Sequence, residues 1–198
     1  MTNNLYISIF IDNDASMKKH MSKLNAQLNG FIDKVKNLNI ELEIISYGDL
    51  EPSVFESAQI SEELITLNDG CIPLLSSAIQ KGHQNLLTKV TNQKPNHRSW
   101  FILLTNGRSL ESIEDSVNQL RNDSDLDVFF LPIALQKFTY SKIFTNLRES
   151  FKRPITLTNY QFDKLFDWLL TLLQERLSKP QEEKLKLSKD QLEGWAYL

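Results

Sequence analysis

The sequence predicts an α/β fold in which a doubly wound, mainly parallel central sheet of about six strands carries helices on both faces. Two observations lead to this prediction. Short runs that are apolar at nearly every position, as in strands buried on both faces, alternate with longer runs whose apolar residues recur every three or four positions. Such alternation builds a parallel sheet covered by helices on both sides. The sequence contains no internal repeat.

The first half of the chain predicts three strands and two helices. The segments with the composition of strands are residues 5–11, 40–47 and 54–55. The segments with one apolar stripe at helical spacing are residues 17–38 and 73–90. Proline is well tolerated in the first turn of a helix, so Pro73 suits the start of the second one. Residues 61–69 carry no clear pattern and receive no assignment.

The second half continues the alternation. The predicted strands are residues 100–104, 127–135 and a short edge strand over 155–157. The predicted helices are residues 110–121, a short one over 140–150 and a strongly amphipathic one over 162–177. We assign residues 1–178 to one domain and residues 179–198 to a charged tail that ends in aromatic residues. Trp195 and Tyr197 are expected to dock on their own domain rather than on a partner.

Composition excludes several classes of protein. A chain of 198 residues with a net charge of −3 and a pI of about 5.7 lacks the basic surface that nucleic acids and acidic membranes attract. The N-terminal apolar run is too short for a signal peptide, and no stretch is long enough to span a membrane. We therefore expect a cytoplasmic protein. The single cysteine, Cys71, excludes an intramolecular disulfide and is expected to be a small buried residue.

Polar residues cluster where predicted strands end or helices begin. Asp12, Asp14 and Ser16 follow the first strand directly, and Asn106 follows the strand that ends near Leu104. Open α/β sheets bind their ligands at the carboxyl ends of their strands. Because oxygen atoms are the ligands of hard cations such as Mg²⁺, the first of these clusters has the chemistry of a metal-binding loop.

Three segments carry a resemblance to a known family: residues 12–17, 70–74 and 103–107. Their order and spacing resemble the von Willebrand factor A (vWA) domain, and within it the bacterial, tellurium-resistance-associated TerY-like group. Residues 154–157 and 162–173 fit the last strand and helix of that group, so the resemblance covers about residues 5–177. It implies a metal-ion-dependent adhesion site, built from an Asp-x-Ser-x-Ser loop, a threonine and a second aspartate, in which the metal keeps one position open for an acidic group of a partner.

This chain departs from that pattern at three positions. Asp12 and Ser16 match the first loop, but Asp14 stands where a serine is expected. Ile72 occupies the position of the threonine and offers no ligand, and Asn106 replaces the second aspartate. The predicted site is therefore degenerate. Its two carboxylates lie on one loop, so that Asp12, Asp14, Ser16 and Asn106 could hold Mg²⁺ only in a rearranged shell.

The interpretation that the sequence favours is a site without a metal or any other cofactor, with a weak Mg²⁺ site as the alternative. In a third arrangement, Lys18 or Arg108 lies across the two carboxylates and takes the place of the ion. A guanidinium can bind a carboxylate through two parallel hydrogen bonds.

We expect a non-catalytic module that binds a protein partner through the loops around this site. The residues proposed for that contact are Asp12, Asp14, Ser16, Ile72, Asn106 and Arg108. What the resemblance implies is an intracellular adaptor in a stress-response assembly of the tellurium-resistance kind. Three alternatives stay open: a metal-dependent vWA binding protein, a hydrolase that uses a metal held by Asp12 and Asp14, and a tail that carries the interaction. Neither nucleic acid nor membrane is an expected partner, and the oligomeric state is left unassigned.

Overall fold

The computed structural model describes residues 5–56, 64–92, 99–123, 126–135, 154–179 and 190–197. Within these ranges, seven strands form one sheet in the order β3-β2-β1-β4-β5-β6-β7. The strands are β1 (Leu5–Ile11), β2 (Ile40–Ser46), β3 (Ser53–Glu56), β4 (Ser99–Thr105), β5 (Val128–Ala134), β6 (Ile155–Leu157) and β7 (Ala196–Tyr197). The five inner strands are parallel, and β3 and β7 pair antiparallel at the two edges.

Helices cover both faces of the sheet. The α-helices of the described ranges are α1 (Met21–Val35), α2 (Leu75–Asn92), α3 (Glu114–Asn122) and α4 (Phe162–Ser178). The apolar residues of α1 and α4 share one core with one face of the sheet, and those of α2 and α3 share a second core with the other face. The predicted α/β class and doubly wound architecture are confirmed. No helix in these ranges is long and apolar enough to cross a membrane.

The central strand shows why the sequence reads as apolar at almost every position. Ile7 and Ile9 belong to the core under α1 and α4, whereas Tyr6 and Phe10 belong to the core under α2 and α3. Successive residues of a strand point to opposite faces, so a strand between two helical layers needs an apolar residue at each step. Helix α2 packs closely here, because a Cβ added at Gly82 would lie 2.6 Å from the ring of Phe10.

Two predicted helices begin about four residues later than expected, and α2 begins at Leu75, just after Pro73. The first starts as a 3-10 turn over Ala15–His20, and regular α1 begins only at Met21. Asp14 caps that turn by accepting a hydrogen bond from the backbone N–H of Ser16. Helix α3 begins at Glu114 rather than near residue 110, because the preceding residues form a loop that contacts the start of α2. The predicted helix over residues 140–150 lies outside the described residues.

The predicted edge strand over residues 155–157 is not at the edge. β7 pairs with β6 through Thr156 with Tyr197 and Leu157 with Ala196. The ring of Trp195 lies 5.6 Å from that of Trp168, and Trp195 is only 7% exposed. The expected docking of Trp195 on its own domain is confirmed.

Candidate functional site

The loop after β1 leaves the sheet between two neighbouring strands. The last ladder contact is a hydrogen bond of 2.9 Å from the backbone N–H of Asp12 to the carbonyl of Leu104. From this point three polar residues, Asp12, Asn13 and Asp14, are buried, with exposed fractions of 0%, 2% and 4%. A buried polar loop must find its hydrogen bonds within the protein, so the contacts of these side chains decide what the site can do.

Each carboxylate of this loop accepts hydrogen bonds from other residues of the same loop. Asp12 Oδ1 accepts from the backbone N–H of Asp14 at 3.1 Å. Asp14 Oδ1 accepts from the backbone N–H of Ser16 at 2.9 Å and also from the Ser16 hydroxyl. These are the local side-chain-to-backbone bonds by which Asp favours turns and helix starts. The two acids therefore stabilise the loop that carries them.

The loop after β4 closes over the first one. Asp12 Oδ2 accepts from the backbone N–H of Asn106 at 2.9 Å and from the Thr105 hydroxyl at 3.4 Å. The side-chain amide of Asn106 donates to Ser16 Oγ at 2.7 Å. Gly107, with φ of 75°, turns the chain away. The structure thus brings Asp12, Asp14, Ser16 and Asn106 together in one hydrogen-bonded cluster.

Burial dominates the electrostatics of this cluster. It raises the pKa of Asp12 to about 7, although the N–H of Asn106 favours the charged form, and the neighbouring Asp14 carboxylate adds to the increase. Tyr47, whose hydroxyl donates to the carbonyl of Leu104 at 3.2 Å, lies beneath the site. Its pKa is raised well above its usual value by burial and then by the charge of Asp12. Asp12 is therefore the group of this cluster whose charge changes close to neutral pH.

The loop before α2 is held against the other two by backbone contacts. Gly70 donates to the carbonyl of Asn13 at 2.6 Å, and Ile72 donates to the carbonyl of Gly48 at 2.7 Å. A Cβ added at Gly70 would lie 2.0 Å from that Gly48 oxygen, so only glycine fits there. Ile72 is half-buried and brings no oxygen to the site. The expectation of a buried Cys71 is wrong: the thiol is exposed because only the flanking backbone is held by the neighbouring loops.

Two asparagines that the sequence did not single out support this loop from α1. Asn25 exchanges two side-chain hydrogen bonds with the backbone of Leu67, at 3.0 and 3.1 Å. Asn29, one turn later, does the same with Ile65, at 2.8 and 2.9 Å. They hold an extended segment whose next residue, Asn68, accepts from the Asn13 side chain at 2.6 Å. The sequence offers one signal for these contacts, because the two asparagines lie four residues apart beside the apolar stripe of α1.

Neither predicted cation lies across the two carboxylates. The Lys18 ammonium pairs with Asp69 at 3.0 Å instead, because its exposed side chain extends outward from the 3-10 turn. Arg108 is exposed, and the described residues offer it no ion pair. The sequence-based arrangement with a side-chain cation over Asp12 and Asp14 is therefore wrong.

The far end of the loop after β4 is rigidly attached to the start of α2. Leu110 donates its backbone N–H to the carbonyl of Pro73 at 3.2 Å. The Glu111 carboxylate accepts from the backbone N–H of Ser77 at 3.1 Å and from its hydroxyl at 3.0 Å. The side chain of Leu110 is nevertheless 74% exposed. An apolar side chain is thus presented to solvent by a fixed backbone.

The oxygen atoms present fit a divalent cation poorly. Both oxygens of Asp12 accept N–H groups, and Ser16 Oγ accepts an amide N–H while its hydroxyl donates to Asp14, so an octahedral shell around an ion would require these hydrogen bonds to rearrange. Asn106 Oδ1 is buried without a hydrogen-bond donor, but its own NH₂ group faces the same cluster. Among the described residues, no three His, Cys, Asp or Glu side chains are grouped to hold a metal. The arrangement is that of an internally bonded cluster.

No protein-family model and no curated protein matches this chain. Solved structures do. The SpRpn10 VWA domain is 12% identical with a TM-score of 0.58, and the match covers 92% of this chain and 99% of that one. The pilus adhesin SpaC from Lactobacillus rhamnosus GG is 9% identical with a TM-score of 0.64, covering 86% of this chain and 30% of that one.

A third similar structure is proximal thread matrix protein 1 from the mussel byssus. It is 14% identical with a TM-score of 0.61, and the match covers 86% of this chain and 47% of that one. The chain therefore spans less than half the length of this protein and of the adhesin. With a VWA domain aligned over nearly its whole length, the fold is vWA-like. At these identities the likeness establishes the fold alone.

Proposed function

We propose that this chain is a non-catalytic module that binds a protein partner through its top face. The top face consists of the loops after β1 (residues 12–16), before α2 (residues 70–74) and after β4 (residues 106–111). The observation that carries the proposal is Leu110, which is 74% exposed on a loop held by hydrogen bonds to the start of α2. An apolar side chain on a preorganised backbone loses little conformational freedom when a partner covers it.

In this proposal the six predicted residues divide into two roles. Asp12, Asp14, Ser16 and Asn106 bond to one another and set the positions of the loops. Arg108, which is exposed, and Ile72, which is half-buried, are available to a partner beside Leu110. A vWA-like fold is compatible with this use, since domains of this class commonly mediate protein–protein interaction.

We further propose that the contact needs no cation and that the cluster does no chemistry. What supports this is that both oxygens of Asp12 and the hydroxyl of Ser16 accept N–H groups of the protein, so the cluster is held together by its own hydrogen bonds. For the cellular setting we propose the cytoplasm and a stress-response assembly of the tellurium-resistance kind. That part is supported by the sequence resemblance to the TerY-like group alone.

Site-specific photo-crosslinking in the source cells tests the proposal. Position 110 on the top face has a matched control in Leu64, which is 78% exposed but lies next to Ile65, whose backbone bonds to Asn29 in the middle of α1. With benzoylphenylalanine at one position or the other, we expect a discrete protein adduct from position 110 and none from position 64.

The adduct should survive chelation by EDTA and should disappear when Arg108→Glu is added. An adduct from both positions, or from neither, would overturn the proposed top-face contact. Two results together would instead show a metal-dependent module. EDTA would abolish the adduct and Mg²⁺ would restore it, and the protein would bind Mg²⁺ in a way that Asp12→Ala removes.

A further inference from the structure

Two of the most exposed apolar side chains lie at the same edge of the sheet. Within the described residues, the large apolar side chains that are strongly exposed are Leu50, Leu64 and Leu110, and Leu50 and Leu110 are each 74% exposed. Leu50 lies on the loop after β2 (residues 47–52), and Leu110 lies on the loop after β4. Because β2 and β4 both run parallel to β1, Leu50 belongs to the edge of the sheet that carries the top face.

Hydrogen bonds attach both loops to the loop before α2. The carbonyl of Gly48 accepts the backbone N–H of Ile72 at 2.7 Å, and the backbone N–H of Leu110 donates to the carbonyl of Pro73 at 3.2 Å. β2 and β4 are the two neighbours of β1, so the chain leaves these strands about 10 Å apart. Ile72, which is half-buried, belongs to the loop that joins them. Leu50, Ile72 and Leu110 are called the apolar strip.

The loop that carries Leu50 starts from a fixed position. Tyr47 donates its backbone N–H to the carbonyl of Ile11 at 3.0 Å, which continues the pairing of β2 with β1. A Cβ added at Gly48 would lie 2.7 Å from the backbone of Asn13, so this close approach requires glycine. Leu50 follows two residues later. An apolar side chain anchored in this way loses little conformational freedom when a partner covers it.

The loops at this edge carry more carboxylates than cations. The segments concerned are residues 12–19, 47–52, 69–74 and 106–111. Their carboxylates are Asp12, Asp14, Asp49, Glu51, Asp69 and Glu111, and their cations are Lys18, Lys19 and Arg108. Burial raises the pKa of Asp12 to about 7, so this residue is partly protonated at neutral pH. The other carboxylates still outnumber the cations, so these loops together are negatively charged.

The unpaired negative charge lies at the Leu50 end of the apolar strip. Asp49 and Glu51 flank Leu50 directly, both are exposed, and neither forms an ion pair within the described part of the chain. At the other end, the charges of Arg108 and Glu111 have opposite signs. A partner that covers Leu50 therefore approaches two carboxylates, and cations on that partner are attracted by them.

We infer that the apolar strip binds a basic amphipathic helix of a protein partner. Apolar side chains of that helix cover Leu50, Ile72 and Leu110, and its lysine or arginine side chains pair with Asp49 and Glu51. Residues seven apart on one face of a helix are separated by about 10.5 Å, which matches the spacing of β2 and β4. The vWA resemblance implies an acidic group on the partner, whereas this inference gives the partner the opposite charge. It rests on the proposed function, because it names the partner of the same edge.

An anisotropy titration of the full chain with two fluorescent helical peptides tests the inference. Both peptides carry leucine at every third or fourth position, and the remaining positions are lysine in one and glutamate in the other. We expect the lysine peptide to bind more tightly, by a margin that shrinks as salt is added. Leu50→Ser should weaken its binding about tenfold, because the burial of the leucine is lost. Leu64→Ser is the matched control and should leave binding unchanged, since Leu64 is 78% exposed beside the segment bonded to the middle of α1.

Two double variants separate local charge from net charge. Asp49→Asn with Glu51→Gln should weaken the lysine peptide about fivefold. Asp33→Asn with Asp167→Asn removes as many carboxylates from exposed positions of α1 and α4 and should leave its affinity unchanged. All of these positions are exposed, and circular dichroism checks that each variant is folded.

Equal affinity for the two peptides, or equal effects of the two double variants, would overturn the inference. The same double variants are then compared in the crosslinking experiment. If the position-110 adduct forms and neither Leu50→Ser nor Asp49→Asn with Glu51→Gln reduces it, the proposed function stands and the inference fails.

Discussion

Replacing Asp12 by asparagine should change how the stability of this protein depends on pH. The carboxyl is fully buried, and burial raises its pKa from the ordinary 3.8 to about 7. The folded protein therefore holds a proton on Asp12 at pH values where the unfolded chain has released it. Asparagine has nearly the shape of the protonated carboxyl but cannot ionise, so the variant lacks this difference between the two states.

The sign and the size of the effect follow from proton linkage. Between about pH 4 and about pH 7 the unfolded chain binds fewer protons at this residue than the folded protein. The free energy of unfolding of the wild type must therefore fall as the pH rises, and its contribution becomes constant above about pH 7. The gap between the two pKa values corresponds to about 4 kcal/mol. Across this range the stability of Asp12→Asn relative to the wild type should rise by up to about that much. A cost that does not depend on pH is added to this, because the NH₂ group of asparagine meets one of the two backbone N–H groups that Asp12 accepts.

Urea unfolding followed by tryptophan fluorescence, measured for both proteins over the pH series in EDTA, gives the difference directly. Titrating groups that do not interact with Asp12 cancel in that difference. A difference that does not vary with pH, or that moves in favour of the wild type as the pH rises, would refute the reasoning. Repeating the series in millimolar Mg²⁺ provides a second arm, because a bound cation would stabilise the ionised Asp12 and reverse the trend.

Five further substitutions at four positions test the packing of the protein by urea unfolding. Gly70→Ala should lower the free energy of unfolding by at least about 2 kcal/mol, because its Cβ would meet the carbonyl of Gly48. Gly30→Ala, with nothing within 4 Å on an exposed part of α1, should instead add about 1 kcal/mol. Glu43→Ala should cost about 3 kcal/mol, because it leaves two buried donors and one half-buried donor of neighbouring side chains unpaired, whereas Glu43→Gln should cost less. Trp195→Ala should cost about 3 kcal/mol and release β7, detected as faster amide exchange at residue 158; unchanged exchange would contradict it.

The fold was predictable because its signals are local. Each inner strand is apolar at nearly every position and each helix has one apolar stripe, and both patterns can be read within a short window. The start of α3 could not be predicted in this way. Leu110 and Glu111 continue the helical pattern but bond to Pro73 and Ser77, more than thirty residues away in sequence. Likewise β7 has two residues, too few for any periodicity.

The site was predictable in position but not in detail. Residues that follow parallel strands meet at one edge of the sheet, which is why Asp12 and Asn106 lie together. Which donors satisfy a given carboxylate depends on distances that the sequence does not encode. Lys18, adjacent to the acidic loop in sequence, pairs with Asp69.

The positions at which this sequence departs from the vWA pattern that it resembles are best understood together rather than one by one. With Asn106 in place of an acid, the loop after β4 contributes an amide N–H that bonds to Ser16. With Asp14 in place of a serine, the first loop contributes a carboxylate that bonds to the same Ser16. Donor and acceptor thus meet within the protein, and Ser16 joins the two loops through hydrogen bonds. In the proposed function a partner binds through what this face leaves exposed, which includes Arg108 and Leu110.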